Sequence, residues 1–226
     1  MTDAGQPSGP RTGPAPEPGD RGPRFPGPPR SIYIGPWRID VTHRHGIGSL
    51  PASRAALARA VAHAVEAAGA PQPASVGLVL SDDREIAELN ERHLGAEGAT
   101  DVLSFPLLAP EVYPPHPGRP VGRAPAATLA GTPAMGGEAP ERPRPAFALP
   151  AGVRTHLGDI IVSVDRAIAQ ATEGHGGQTG DVRWDPADEL RLLVTHGALH
   201  LCGWDHEDPV EREAMRALER ELLAVE

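Results

Sequence analysis

The sequence predicts an α+β domain with α/β character, in which one mixed sheet of roughly four strands packs against about five helices. Short runs rich in β-branched residues alternate along the chain with amphipathic helical segments, which is typical of a sheet covered by helices. The chain has 226 residues, and its 27 Pro and 26 Gly lie mainly outside these segments, so a hydrophobic fraction of 39% suffices for one core. We therefore expect a single folded domain.

Charge and cysteine content limit the classes of protein to which this chain can belong. A formal net charge of -9 argues against a protein that coats nucleic acid without specificity, although an RNA enzyme needs only a local arginine-lined cleft. The single cysteine, Cys202, excludes an intramolecular disulfide and fits a reducing compartment. No apolar run reaches the roughly 18 residues of a membrane span, and no apolar signal region begins the chain. These features predict a soluble cytoplasmic protein that has no membrane partner.

Order is expected to begin after an N-terminal tail. Residues 1–30 consist mainly of Pro, Gly and scattered charges, which bury too little apolar surface to offset the entropy of ordering. We predict that this tail is disordered and that residues 31–226 form one domain. Alternating apolar residues predict the first strand at either 31–34 or 37–41.

The next segments predict a helix, a strand and a second helix. Ser53 is a favourable N-cap for a helix from Arg54 to about Ala68. A short apolar strand from Ser75 to Leu80 follows. The triplet at 81–83 ends this strand and provides capping side chains for a helix from Arg84 to about His93.

Pro106 predicts that the following strand lies at an edge of the sheet. It follows the apolar run from Val102 to Phe105 and cannot donate a hydrogen bond to a neighbouring strand. An edge strand beside a cleft can align an extended substrate, so Ser104 is a candidate substrate-binding residue. Residues 109–150 are again rich in Pro, Gly and Ala, and long structureless loops are uncommon in compact domains. We interpret this stretch as a flexible insertion.

The C-terminal half predicts a buried strand and three helices. The β-branched run within residues 157–164 is typical of a central strand that is covered on both faces. A helix from Asp165 to Thr172 follows it. Asp185 and Pro186 begin a longer helix, because Pro is favourable in the first turn. An amphipathic helix after Pro209 completes the chain.

Three histidines predict a metal site on this longer helix and on the turn that follows it. His196 and His200 are four residues apart and therefore share one face of the helix. Gly203 can end the helix in a left-handed conformation, and the returning chain can bring His206 to the same point. Three neutral imidazoles with an open fourth position are typical of a catalytic zinc site, with one Zn²⁺ per chain. A buried helix that merely carries histidines is the alternative.

The neighbours of these histidines bear on the chemistry. Bound zinc lowers the pKa of water towards neutrality and polarises a phosphoryl oxygen. Gly197 occupies the position of the general base in His-Glu-x-x-His proteases, and we interpret it as making room for a strand or a substrate. Asp205 and Asp159 are the nearest candidates to orient a ligand imidazole through a hydrogen bond. Cys202 is interpreted as a buried thiol, and the sequence identifies no general base.

The metal motif and two other segments resemble a known family. The run at 196–206 reads His-Gly-Ala-Leu-His-Leu-Cys-Gly-Trp-Asp-His, which is similar to the signature of the YbeY family of bacterial metal-dependent endoribonucleases. The segments 89–90 with 100–106, and then 157–163, are similar to two further blocks of that family in the same order. The resemblance implies a zinc-dependent endoribonuclease, specific for single-stranded RNA, that acts at the 3′ end of small-subunit ribosomal RNA and in ribosome quality control. It also implies the ribosome or its small subunit as a partner.

One family position differs in this chain. Between Asn90 and Thr100 the family usually has an aromatic residue and then an Arg that is important for RNA cleavage, whereas this chain has His93 and Leu94. Arg92 lies nearby and is the second candidate substrate-binding residue. Two alternatives to the nuclease stay open, and the missing Arg gives weight to the second. One is a metallohydrolase of peptides or small molecules, and the other is a non-catalytic ribosome-assembly factor that zinc stabilises.

Overall fold

The structure is a computed structural model, and the residues that it describes are 29–44, 46–119, 153–173 and 185–224. The predicted disordered tail, apart from its last two residues, lies outside the described residues, as does most of the predicted insertion. In the described part of the chain, no helix is both long enough and apolar enough to cross a membrane.

The described residues contain one mixed five-stranded sheet, which confirms the predicted architecture. The strands are β1 (Arg30–Ile34), β2 (Trp37–His43), β3 (Ala74–Ser81), β4 (Val102–Pro106) and β5 (Thr155–Ser163). Their order across the sheet is β1-β2-β3-β5-β4, with parallel pairing in the centre and an antiparallel strand at each edge. The sheet exceeds four strands because both N-terminal candidate stretches are strands. They pair as a hairpin that turns at Gly35, where φ is 54°.

Five α-helices, as predicted, are present in the described ranges. They are α1 (Arg54–Ala67), α2 (Asp83–Leu94), α3 (Val164–Glu173), α4 (Pro186–Leu201) and α5 (Pro209–Ala224), and a short 3₁₀ helix spans Pro110–Val112. Capping side chains start three of them. Ser53 accepts a hydrogen bond from the N–H of Ala56, and Asp82 and Asp185 do the same for the first turns of α2 and α4. The helix starts are therefore determined locally.

Helix α4, which carries two of the histidines, packs on one face of the sheet against β4 and β5. Helices α1, α3 and α5 contact it there, and the shared core contains Leu190, Val194 and Leu199. Helix α2 covers the other face, where Ile86 packs against Ile161. This arrangement places the C-terminal end of α4 beside the edge strand β4.

Gly197 allows α4 to lie close to the sheet. A Cβ atom at this position would lie 2.7 Å from Cγ2 of Ile160 and 2.9 Å from Cγ2 of Val102. The hydroxyl of Ser104 donates a hydrogen bond to the carbonyl oxygen of Gly197 at 2.9 Å. Gly197 therefore makes room for β4 and β5. Strand β4, which ends at Pro106, lies at an edge of the sheet, as predicted.

The start of the predicted flexible insertion is ordered and packed. Residues 110–119, which we call the strap, cross the turn that follows α4. The ring of His116 stacks on Trp204 with 3.9 Å between the ring centroids. Nη1 of Arg119 donates a hydrogen bond to the carbonyl oxygen of Gly203 at 2.7 Å. Composition does not predict this order, because it comes from buried contacts with a distant segment of the chain.

Candidate metal centre

Three imidazoles converge at the C-terminal end of α4. His196 and His200 are one helical turn apart, and His206 comes from the turn before α5. One nitrogen atom from each ring lies within 4.8 Å of the other two, and the Nε2 atoms of His196 and His200 are 3.0 Å apart. The structure thus brings together the three side chains whose spacing predicts a metal site.

Gly203 builds the turn that carries His206 back to the helix. Its φ of 83° is left-handed, and the N–H groups of Gly203 and Trp204 donate to the carbonyl oxygens of His200 and Leu199. This pair of hydrogen bonds is the Schellman motif, which ends helices at a glycine. A Cβ atom at Gly203 would also lie only 2.4 Å from Nη1 of Arg119. The left-handed backbone conformation therefore favours glycine here, and a side chain would also displace the guanidinium group of Arg119.

Glu219 of α5 contacts the ring of His196 on the side away from the other histidines. Its Oε1 atom lies 2.7 Å from Nδ1 of His196, and its side chain is 2% exposed. A carboxylate at Nδ1 selects the tautomer that leaves Nε2 free for a metal ion and makes that nitrogen more basic. The sequence pattern contains a signal for this residue, because Glu219 interrupts the apolar face that Met215 and Leu222 form. Position within the sequence motifs nevertheless favours only aspartates for this role.

The surroundings of His200 keep it neutral. Burial lowers the pKa of His200 to about 4, and the rings of His196 and His206 act in the same direction. The charge of Asp205 and a hydrogen bond with the backbone of Trp204 raise this pKa without reversing the shift. Because a metal ion binds the neutral imidazole, His200 is available to a metal at neutral pH without first losing a proton.

The two aspartates expected to orient an imidazole have other contacts. Oδ1 of Asp205 accepts a hydrogen bond from the N–H of His206 at 2.6 Å, so this carboxylate stabilises the turn. Asp159 points to the face of the sheet opposite α4, because side chains alternate along β5 and the next residue contacts α4. Oδ1 of Asp159 lies 3.4 Å from Nε2 of His156. Glu219, rather than either aspartate, contacts the ring of His196.

The two expected substrate-binding residues lie on opposite sides of the sheet. Ser104 is half-buried on β4, and its hydroxyl is hydrogen-bonded to the backbone of α4 beside the histidines. Arg92 is exposed on α2, which covers the other face. The neighbouring His93 packs edge-on against the ring of Phe105, with 5.5 Å between the centroids. Of the two candidates, only Ser104 is next to the metal helix.

Cys202 is a buried thiol, as expected. Burial raises the pKa of Cys202 to about 12, and it also raises the pKa of the neighbouring Tyr113, which belongs to the strap. A thiol that remains protonated is a poor metal ligand. Accordingly, the cluster of candidate ligands in the described residues consists of the three histidines without Cys202.

The histidine cluster fits a zinc ion. Tetrahedral coordination with Zn–N distances of about 2.0–2.1 Å separates two ligand nitrogens by about 3.3–3.4 Å. The Nε2 atoms of His196 and His200 are 3.0 Å apart, which is close to this spacing, and the ligand nitrogen of His206 lies within 4.8 Å of both rings' ligand nitrogens. The carboxylate of Glu219 at Nδ1 of His196 and the neutral state of His200 also suit metal binding. Three such ligands leave a fourth position open.

Comparison with known proteins identifies the family. Residues 43–225 match the family described as Endoribonuclease YbeY. The chain belongs to this family. The Endoribonuclease YbeY of Salinispora tropica is 35% identical over 164 residues, covering 72% of this chain and 80% of that protein. The protein of the same name from Thermobifida fusca is 32% identical over 187 residues, covering 82% of this chain and 92% of that protein.

A solved structure is also similar to this YbeY-family chain. The solution structure of TM1509 from Thermotoga maritima has a TM-score of 0.41 and 21% sequence identity. The match covers 82% of this chain and 89% of that chain. The family membership confirms the resemblance that the metal motif and the two other segments indicate.

A cleft opens beside the histidines of this YbeY-family protein. Its volume is about 320 Å³, and it is lined by His196, His206, Arg212, Met215 and Arg216. Arg212, Met215 and Arg216 lie on one face of α5, because Met215 and Arg216 follow Arg212 by three and four residues. Sequence spacing within the metal motif does not indicate these residues, since they reach the cleft only when α5 packs against α4.

Proposed function

We propose that this protein is a zinc-dependent endoribonuclease, specific for single-stranded RNA, that acts in maturation of the 3′ end of small-subunit ribosomal RNA and in ribosome quality control. Membership of the endoribonuclease YbeY family supports the nuclease class. The convergence of His196, His200 and His206 is the observation that carries the metal-dependent part. On this proposal the protein works in the cytoplasm with single-stranded ribosomal RNA and the ribosome or its small subunit as partners.

The residues at the centre have separate tasks on this proposal. His196, His200 and His206 would hold the ion, and Glu219 would orient His196 through its Nδ1 atom. Zinc, when bound, activates water and polarises a phosphoryl oxygen. The cleft contains His196 and His206, and His206 is exposed, so a phosphodiester can approach the centre. The edge strand β4, which carries Ser104, lies next to α4 and can align an extended RNA strand.

Peptide hydrolysis is less well supported by the same geometry. Gly197 stands where His-Glu-x-x-His proteases have a glutamate, and a carboxylate there would meet the sheet, since even a Cβ atom would lie 2.7 Å from Ile160. The usual proton acceptor of those proteases is therefore missing. The assembly-factor alternative uses the same metal site and differs by predicting no cleavage of RNA.

Metal analysis and RNA cleavage by the full chain test the proposal together. Wild-type protein should contain about one zinc per chain, and with zinc bound it should cleave single-stranded RNA while leaving a fully paired duplex intact. The His200→Ala variant should lose both properties. The His63→Ala variant removes a histidine of α1 that lies outside the cluster, and it should retain both.

The alternatives make different predictions in the same assays. Zinc-loaded protein that leaves RNA intact, together with a His206→Ala variant that melts at a lower temperature and no longer binds small subunits, would establish an assembly factor. Cleavage of unstructured peptides that depends on His200 would establish a metallohydrolase of peptides. Protein that takes up no metal even after incubation with zinc would contradict all three functions.

The metal and the RNA target require their own experiments. Three imidazoles accept several divalent ions, so metal-free protein should be reloaded with zinc, manganese or nickel before cleavage is compared. Zinc should give the highest activity. A precursor of the small-subunit RNA with a 3′ extension should be cut within that extension. Cleavage spread evenly over the transcript would contradict the proposed role in 3′-end maturation.

A further inference from the structure

Two arginines of α5 line the cleft that also contains two of the metal-binding histidines. They are Arg212 and Arg216, and they share the cleft with His196 and His206. We infer that Arg212 and Arg216 bind backbone phosphates of the RNA strand beside the bond that is cleaved. They form a phosphate-binding subsite, and neither arginine belongs to the sequence motifs. This inference rests on the proposed nuclease function.

The spacing of the two arginines suits a polyanion. Residues four apart on a helix have Cβ atoms about 5–6 Å apart on one face, which is close to the separation of consecutive phosphates in a single strand. Arg212 is exposed and Arg216 is half-buried, while Met215 between them is 1% exposed. Arg212 therefore lies at the rim of the cleft and Arg216 lies deeper, with the buried Met215 between them.

Contacts at both ends of α5 orient this face towards the histidines. Near the start of the helix, Oε1 of Glu211 accepts a hydrogen bond from the N–H of Asp205 at 2.8 Å. Three residues after Arg216, Glu219 is held at 2.7 Å from Nδ1 of His196. The helix cannot rotate without breaking one of these buried contacts. The backbone positions of the two arginines are thus set before RNA binds, which lowers part of the entropy cost of binding.

Charge complementarity favours RNA as the occupant. A guanidinium group matches the geometry of phosphate and can bind it through two hydrogen bonds. Asp205 and Asp208 of the turn before α5 accept hydrogen bonds from backbone N–H groups, and none of the described residues that line the cleft is acidic. With a net charge of -9 on the whole chain, two arginines in one cleft are a local exception. A bound phosphate there would lie next to the open metal position.

Binding of a short fluorescent single-stranded RNA, followed by anisotropy, tests the subsite. The full chain is measured first without metal, so that the RNA stays intact, and then zinc-loaded under single-turnover conditions. The double variant Arg212→Gln/Arg216→Gln should bind about tenfold more weakly at low salt. Its slope of log affinity against log salt should fall by about 1.4, because each phosphate contact of a single strand contributes about 0.7. Arg212→Lys/Arg216→Lys should keep most of the slope.

A matched control uses the other face of the sheet. Matched to Arg212→Gln, Arg84→Gln removes one arginine charge from an exposed position of α2 and should leave RNA binding unchanged. Arg92→Gln is measured separately, because Arg92 is the residue that the sequence selects for RNA. If this variant weakens binding while the α5 variant does not, the phosphate contacts belong to α2 and the subsite is wrong. Unchanged binding in both variants also overturns it.

The failure of the subsite differs from the failure of the proposed function. Zinc-loaded wild-type protein that does not cleave single-stranded RNA would overturn the nuclease. Wild-type protein that cleaves, beside an Arg212→Gln/Arg216→Gln variant that binds and cleaves equally well, would overturn only the subsite. Zinc content and melting temperature should match between the two proteins. If the double variant folds poorly, Arg212→Gln alone decides, because this residue is exposed and should still weaken binding.

Discussion

Nδ1 of His196 lies 2.7 Å from Oε1 of Glu219, across 23 residues of sequence. The contact joins the helix that carries two of the histidines to the C-terminal helix. The other carboxylate oxygen, Oε2 of Glu219, is buried and has no hydrogen-bond partner among the described residues. A buried carboxylate with one strong contact depends on that contact, so the position of α5 and the orientation of His196 are coupled.

Removing the charge of Glu219 should weaken metal binding. We expect Glu219→Gln to lower zinc affinity by about 10- to 100-fold, because the partner of a ligand imidazole fixes its tautomer and raises its basicity. Competition with a coloured chelator measures the affinity directly and does not depend on enzymatic activity. Glu213→Gln, at an exposed position of the same helix, should keep wild-type affinity. Equal affinities in folded Glu219→Gln and wild type would show that this carboxylate does not orient His196.

The metal-free protein should lose stability on acidification through His200. Burial lowers the pKa of His200 to about 4 in the folded protein, whereas the unfolded chain takes up the proton near the ordinary value of about 6.5. The unfolded state therefore binds more protons between these values, and the free energy of unfolding falls as the pH drops from about 6.5 to 4. Urea denaturation at several pH values should show this decrease. His200→Gln should flatten it, and His63→Gln should not.

The strap should stabilise the turn that carries His206. Nε2 of His116 lies 2.7 Å from Oε1 of Glu211, whose side chain is 6% exposed, and the ring stacks on Trp204. His116→Leu leaves this buried carboxylate with one partner fewer, so we expect the free energy of unfolding to fall by about 1–3 kcal/mol. Urea denaturation of the metal-free protein measures the loss, and zinc affinity should fall with it. Val112→Ala, at a strap position that is 51% exposed, should change neither quantity.

Gly197→Ala should destabilise the protein although alanine favours helices. The added Cβ would lie 2.7 Å from Ile160 and 2.9 Å from Val102. Overpacking of this kind costs about 1–3 kcal/mol, which exceeds the gain of about 1 kcal/mol in helix propensity. Gly48→Ala is the matched control, because no atom lies within 4 Å of the added Cβ there. A thermal melt of both variants decides the matter, and a stabilised Gly197→Ala would contradict the close approach of α4 to the sheet.

Local chemistry explains which elements could be predicted from the sequence. Ser53 and Asp185 cap their helices by accepting hydrogen bonds from N–H groups two or three residues away. Pro106 restricts β4 to an edge because it lacks a donor. The choice between two N-terminal strands could not be made this way. Both stretches alternate equally well, and both are strands because they pair with each other.

The sequence by itself determined the helix and strand pattern, the left-handed end of α4 at Gly203, and the spacing that brings His196, His200 and His206 together. These features depend on interactions within a few residues along the chain. Only the tertiary structure decided that Glu219 rather than an aspartate supports His196, and that Arg212 lines the same cleft. Such contacts depend on how α5 packs against α4, and that packing is set by the shape of the whole core rather than by any local pattern.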